Sequence, residues 1–148
     1  MLTTIRKATV NDKTRIMEIY AYARQFMAEH GNPNQWKNNN PSDETIDNDI
    51  ANRQMYVIEA DGGVHAVFYF HIGDDSTYQV IDNGQWLSDE PYGTIHRIAG
   101  DGTIHGVLEI AVNYCKEQIP HLRIDTHHDN KIMQHVIEKN GFKKCGII

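Results

Sequence analysis

Apolar positions along this chain change their period several times, and each change marks an element. Leu2 to Thr9 reads as a strand. From Lys13 to Glu29 the spacing lengthens, so that Ile16, Tyr20, Ala23 and Met27 make one stripe of an amphipathic helix that Asn11 or Asp12 can cap. His30-Gly31-Asn32-Pro33 breaks it. The asparagine-rich stretch from Asn32 to Pro41, with Trp36 inside it, predicts an ordered but irregular loop. Ser42 then caps a short helix. Asp43 and Glu44 stand in its first turn, where negative charge suits the helix dipole, and Ile46 and Ile50 point inward.

Alternation follows. Met55 to Ala60 and Val64 to Ile72 predict two strands joined by a hairpin turn at Asp61-Gly62-Gly63. In the second, Ala66, Phe68, Phe70 and Ile72 share one face, and His65, Val67, Tyr69 and His71 the other. A polar stretch runs to Glu90 with Tyr78 and Trp86 inside it. Tyr92 to Ala99 predicts a strand, Ile104 to Gln118 a helix, and Pro120 ends that helix because proline cannot continue it.

The last third is the most patterned. Leu122, Ile124 and Thr126 alternate with Arg123, Asp125 and His127. Asp129 or Asn130 can cap a helix whose apolar face is Ile132, Met133, Val136 and Ile137. Asn140-Gly141 supplies a left-handed stop, and Phe142 starts a final strand. The predicted order is β-α-α-β-β-β-α-β-α-β, an α/β class with hairpins early and βα units late, hence a mixed sheet.

Composition narrows the partners. A length of 148 residues sets a single domain with a proper core. No apolar run approaches the roughly 20 residues that span a bilayer, and no apolar signal core follows the N-terminus, so no membrane partner and a cytoplasmic location are expected. A net charge of -6 argues against a nucleic-acid binder built on phosphate contacts and mildly favours a cationic substrate. Cys115 and Cys145 read as reduced thiols of a reducing compartment. Among nine histidines, His121, His127 and His128 cluster near Asp125 and Asp129. On an extended strand His121 and His127 would lie about 20 Å apart, and no His-Glu-x-x-His or Cys-x-x-Cys pair is present, so no metal is expected.

Several segments together resemble the GNAT superfamily of N-acetyltransferases, in particular a bacterial subgroup. They are His96 to Ala99 (His-Arg-Ile-Ala), Arg123 to His127 (Arg-Ile-Asp-Thr-His), Asp129-Asn130, Met133, Gly141-Phe142, and Cys145 to Ile148 (Cys-Gly-Ile-Ile). The resemblance implies one GNAT-like domain over 1–148 with a mixed, mostly antiparallel central sheet flanked by helices. The family usually adds one strand more than the chain shows by Ile148, so the domain is expected to lack its last strand, or to have that edge covered by a loop or partner. A homodimer is a further expectation.

The resemblance also implies chemistry. Acetyl-CoA would be the acyl donor and a primary amine of a small molecule or peptide the acceptor, attacking directly in a ternary complex. The loop Gly100 to Val107, with Gly102, His105 and Gly106, would hold the pyrophosphate on backbone N–H groups at a helix start. The family's Arg/Gln-x-x-Gly-x-Gly/Ala becomes Thr103-Ile-His-Gly106-Val-Leu108, which keeps only the central glycine. Ile98 and Ala99 would offer backbone to the thioester, Asn130 would meet the pantetheine or phosphate region of the cofactor, and Met133 would also contact the cofactor. Trp36, Trp86 and Tyr92 are candidates for the acceptor pocket. The tyrosine that many relatives place five residues before the Gly-Phe phenylalanine is Ile137 here, which leaves His96, His127, Tyr78, Tyr92 or a water as candidate proton-transfer groups. A non-catalytic acyl-CoA-binding or protein-interaction domain of the same fold is the alternative.

Overall fold

The computed structural model describes residues 2–37 and 40–148; Met1 and residues 38–39 of the loop expected over 32–41 lie outside the described residues. The elements are β1 (Thr3–Lys7), α1 (Lys13–Glu29), α2 (Asp43–Ala51), β2 (Met55–Ala60), β3 (Gly63–Ile72), β4 (Gly93–Gly100), α3 (Val107–Gln118), β5 (Leu122–Ile124) and α4 (Lys131–Lys139), with short 3-10 turns at Val10–Asp12 and Ser76–Tyr78. Five strands form one sheet in the order β1-β2-β3-β4-β5. All neighbours are antiparallel except β4 and β5, which are parallel. The parallel pair requires a crossover, and α3 supplies it.

The hairpin between β2 and β3 forms where the sequence places Asp61-Gly62. Both residues take positive φ, 51° and 83°, the twist that matches flanking strands. Alternation then sends the strand residues to two cores. Tyr56, Ile58, Ala66, Phe68, Phe70 and Ile95 meet α3 and α4 on one face. Met55, Val57, Val67 and Ala99 meet α1 and α2 on the other. The buried arc of α1 is Ile16, Ile19, Tyr20 and Ala23. Ile19 replaces Met27 of the expected stripe, because an apolar helix face covers more than one line of positions. No described helix is long and apolar enough to cross a membrane.

Three expectations are corrected. The helix expected from Ile104 begins at Val107, because Gly106 sits at φ 73°, outside the helical region, and Ile104 is buried in the preceding turn. The strand expected to reach His127 stops at Ile124, and residues 125–130 turn towards α4. No strand forms from Phe142. Instead the tail pairs its backbone with the 81–84 segment, where Asp82 and Ile147 exchange two hydrogen bonds. Gly84 permits that approach, since a Cβ there would lie 1.8 Å from the Cys145 carbonyl oxygen.

Candidate active site

The site grows from an irregularity in β4. Val67 pairs with Ala99 and Tyr69 with His96, so Arg97 and Ile98 together oppose Phe68 in a bulge. Arg97 takes φ 50°, a conformation that costs free energy in a residue with a Cβ. Three contacts hold it there. The Tyr20 hydroxyl donates to the Arg97 carbonyl at 2.7 Å. The guanidinium donates to both oxygens of Asp49 at 2.9 and 3.0 Å. The same group stacks on Tyr69, 4.6 Å from the ring centre. Two core elements, α1 and α2, therefore clamp the bulge.

Just before the bulge, β4 loses its other neighbour. Parallel pairing ends at Ile95 opposite Ile124. Residues His96 to Gly100 continue as strand while the chain after Ile124 turns away, so a gap opens between them. A cavity of about 120 Å³ occupies the gap. His96, Ile98, Asp125, Thr126, Asn130 and Met133 line it from the strands and α4; Met27, Gln35 and Trp36 line it from the end of α1 and the loop that follows. A larger groove of about 1240 Å³ runs beside the outer edge of β5 and shares Gln35, Trp36, Asp125 and Thr126 with the cavity.

His96 and Tyr78, both expected at the chemistry, converge here on a residue that was not. The His96 Nε2–H donates to Asp75 at 2.8 Å and its Nδ1 lies 3.2 Å from Asp125 Oδ1. The Tyr78 hydroxyl donates to the same oxygen at 2.7 Å. Burial works against charge on His96, but the hydrogen bonds and charges of Asp125 and Asp75 outweigh it and raise its basicity. Burial likewise opposes charge on Asp125, and the bonds from His96 and Tyr78 bring its carboxyl below the usual range. Tyr78 is pushed far up by burial and the Asp125 charge, so it stays a phenol. The Asp75 N–H donates to the Tyr92 hydroxyl at 2.7 Å, which fixes the far end of the chain.

The remaining candidates divide. Asn130 both caps and lines: its Oδ1 accepts from Met133 N–H at 3.0 Å while its Nδ2 donates to Gln35 at 3.0 Å. Trp36 stands on the cavity wall and meets Tyr20 edge-on at 5.4 Å. Trp86 and Tyr92, expected in the acceptor pocket, do not line the cavity. They sandwich the Arg123 guanidinium at 4.1 and 3.8 Å, and Trp86 faces the larger groove. His127 is also outside the cavity, at the turn after β5, where its Nδ1 accepts from Asp129 N–H at 3.1 Å. Ligand atoms of His127, His128 and Asp129 fall within 4.8 Å of one another. Chelation through that Nδ1 would displace the turn's own hydrogen bond.

The loop from Gly100 to Val107 fits an anionic ligand in its backbone. Gly102 and Gly106 take φ 86° and 73°. A Cβ at Gly102 would lie 2.8 Å from the Tyr22 hydroxyl, and at Gly106 the space is open but for Glu109. Among the described residues no side chain caps α3, so its first-turn N–H groups could take a ligand. His105 is exposed beside them and Val107 opens the helix. Two acids stand close by. Asp101 is bound by Arg15 and by His65 at 2.8 Å, whereas Glu109 is exposed in the first turn of α3.

Asp75, Asp125, Asp49 and Gln35 were not singled out as site residues. Asp75 lies 21 residues from His96 in a polar stretch that reads as an ordinary turn. Asp125 did carry a signal: in a parallel pair, Thr94 opposite Arg123 puts His96 and Asp125 on one face.

No family model matches the chain, and no curated protein matches it significantly. Solved structures do. The crystal structure of a GNAT-family acetyltransferase from Streptococcus agalactiae is 31% identical, with 97% of this chain and 87% of that chain covered at a TM-score of 0.87. A GNAT-family acetyltransferase from Listeria monocytogenes shares 15% identity over 99% of this chain and 89% of that one, with a TM-score of 0.73. AAC(6')-Iy, solved in complex with the bisubstrate analogue CoA-S-monomethyl-acetylneamine, shares 16% identity over 100% of this chain and 95% of that one, with a TM-score of 0.63.

Proposed function

The chain belongs to the GNAT family of acetyltransferases, and from that premise we propose that it transfers the acetyl group of acetyl-CoA to a primary amine by direct attack in a ternary complex. The observation that carries this reading is the parting of β4 and β5 after Ile95 and Ile124. It leaves the β4 edge from His96 onward without a strand neighbour, so its backbone can take an extended pantetheine arm, with Ile98 N–H at the bulge as the donor for the thioester oxygen. Ala99 and Gly100 continue that edge into the glycine loop, whose uncapped helix start would take the pyrophosphate. Asn130 and Met133 close the gap from the α4 side.

Chemistry would run through charge already in place. His96, with a carboxylate at each nitrogen, is held more basic than a free imidazole although burial opposes its charge, and in this reading it acts as the imidazolium and not as the base. In this proposal water carries the amine's proton out of the gap and returns a proton to the departing CoA thiolate, while His96 holds Asp125 in place. Tyr78 holds Asp125 in place as a phenol. His127 takes no part in the step. Burial pushes the Cys115 thiol up to about 12, which favours direct attack over an acetyl-cysteine route at that residue.

Calorimetric titration with acetyl-CoA and with CoA, followed by thiol release in an amine panel, tests the reading. One-site saturable binding with amine-dependent release supports it. No binding at millimolar acetyl-CoA sinks it. Binding without release to any amine moves the non-catalytic acyl-CoA-binding reading ahead.

A further inference from the structure

We propose that Asp125 binds a second ammonium of the acceptor, the one that is not acetylated, so that the acceptors of this protein are diamines or larger polycationic amines. The inference rests on the acetyl-transfer reading above and names its substrate class.

Asp125 is the sole carboxylate among the described residues lining the cavity. Its Oδ1 receives both the Tyr78 hydroxyl and His96, while Oδ2 has no protein partner among the described residues. The side chain is 39% exposed, against 11% for Asp75, which is the buried end of the same chain of bonds. With His96 charged, two carboxylates and one imidazolium leave one negative charge, and it is presented at Asp125. The other nearby cation is spent, since Arg97 is held by both oxygens of Asp49.

The walls suit an alkylammonium. Trp36 offers an aromatic ring on the same cavity, and a cation over such a face is attracted to it. Thr126 Oγ1 is buried in the lining with no partner among the described residues, an acceptor waiting for an N–H. The approach is also correct. Asp125 and His96 share the face of the sheet that carries Trp36 and α1, whereas the glycine loop leads into α3 on the opposite face, so donor and acceptor reach the gap from different sides.

The ammonium at Asp125 is the non-reacting one. A carboxylate paired with an ammonium keeps it protonated and therefore without the lone pair that attacks a thioester. Two donors on Oδ1 also make Asp125 a weak proton acceptor. The group binds and positions, and the reacting amine lies elsewhere on the same molecule.

The test is calorimetric titration of the CoA-saturated protein with cadaverine and with n-pentylamine, which lacks the second ammonium. Cadaverine should bind about tenfold more tightly, the range of one hydrogen bond to a charged group. Asp125→Asn keeps an acceptor for Tyr78 and His96 and should abolish the preference; Asp125→Glu restores the charge and should retain it. Equal affinity of the two amines for the unmodified protein, or a preference that survives Asp125→Asn, overturns the proposal. If the Asn variant does not fold, the comparison on the unmodified protein decides alone. The same pair titrated without CoA separates the two readings: failure of CoA to bind removes acetyl transfer, while the preference for cadaverine still reports on Asp125.

Discussion

At the residue scale the centre of the molecule is one imidazole between two carboxylates. His96 is 17% exposed, and either carboxylate alone would raise its basicity. The sign of the consequence follows from the direction of the shift. A histidine whose folded value is raised contributes stability that is complete below about 6.5, its unfolded value, and is lost as pH climbs through the folded value. Asp75→Asn keeps an oxygen near Nε2 but removes the charge. The variant should be roughly 1–2 kcal/mol less stable than the parent at pH 6, as for a hydrogen bond to a charged group. The gap should shrink as pH is raised beyond the His96 transition. Urea unfolding across that range reads it, together with the His96 Cε1–H resonance, which should titrate at lower pH in the variant. A stability gap that does not vary with pH would mean that Asp75 shapes the loop and does not hold the charge.

At the element scale the start of α3 carries opposing demands. An acid in the first turn of a helix is favourable to the helix dipole, and Glu109 stands there. A pyrophosphate at the same place would meet that charge as a repulsion. Glu109→Gln should therefore tighten acetyl-CoA binding by about two- to fourfold at low salt, with the difference shrinking at higher salt as charges are screened. The helix should lose only about 0.3–1 kcal/mol. Unchanged affinity at every salt concentration would take the glycine loop out of the cofactor site. The same element shows what patterning conveys. The helix face of Leu108, Ala111, Val112 and Cys115 is plain in the sequence, because a buried stripe is a periodic signal. Its first residue was not, because the left-handed Gly106 lies among residues that could all have been helical.

Across the whole molecule, carboxylates set the acid limit. Asp12 is drawn down to about 2 by the Arg6 hydrogen bond, against the opposing effect of burial and with help from Thr9 N–H. Asp75, Asp101 and Asp125 are also lowered, each with burial opposing and hydrogen bonds prevailing. A lowered carboxylate contributes stability above its unfolded value of about 3.9, and that contribution fades as pH falls through the folded value. Stability should be greatest between about pH 4 and 6.5, below the range in which His96 loses its proton. Urea midpoints should drop steeply from about pH 4 to 2. Asp12→Asn should flatten that decline at the cost of a lower midpoint near neutrality; an acid limb unaltered in steepness would remove Asp12 from the account.

The sequence by itself determined the order of elements as far as α4, the hairpin at Asp61-Gly62 and the two faces of β3, and it narrowed the cap of α4 to Asp129 or Asn130, since each depends on neighbours within a few positions. It also contained the family resemblance, and with it His96, Tyr78 and Asn130 as candidates for the site. Only the tertiary structure decided which acids meet His96, that Trp86 and Tyr92 clasp Arg123, and that the tail pairs with Asp82. The bulge at Arg97 belongs with these. It exists because Tyr20, Asp49 and Tyr69 hold a strained residue from three other elements, and contacts between distant segments leave no period in the chain that makes them.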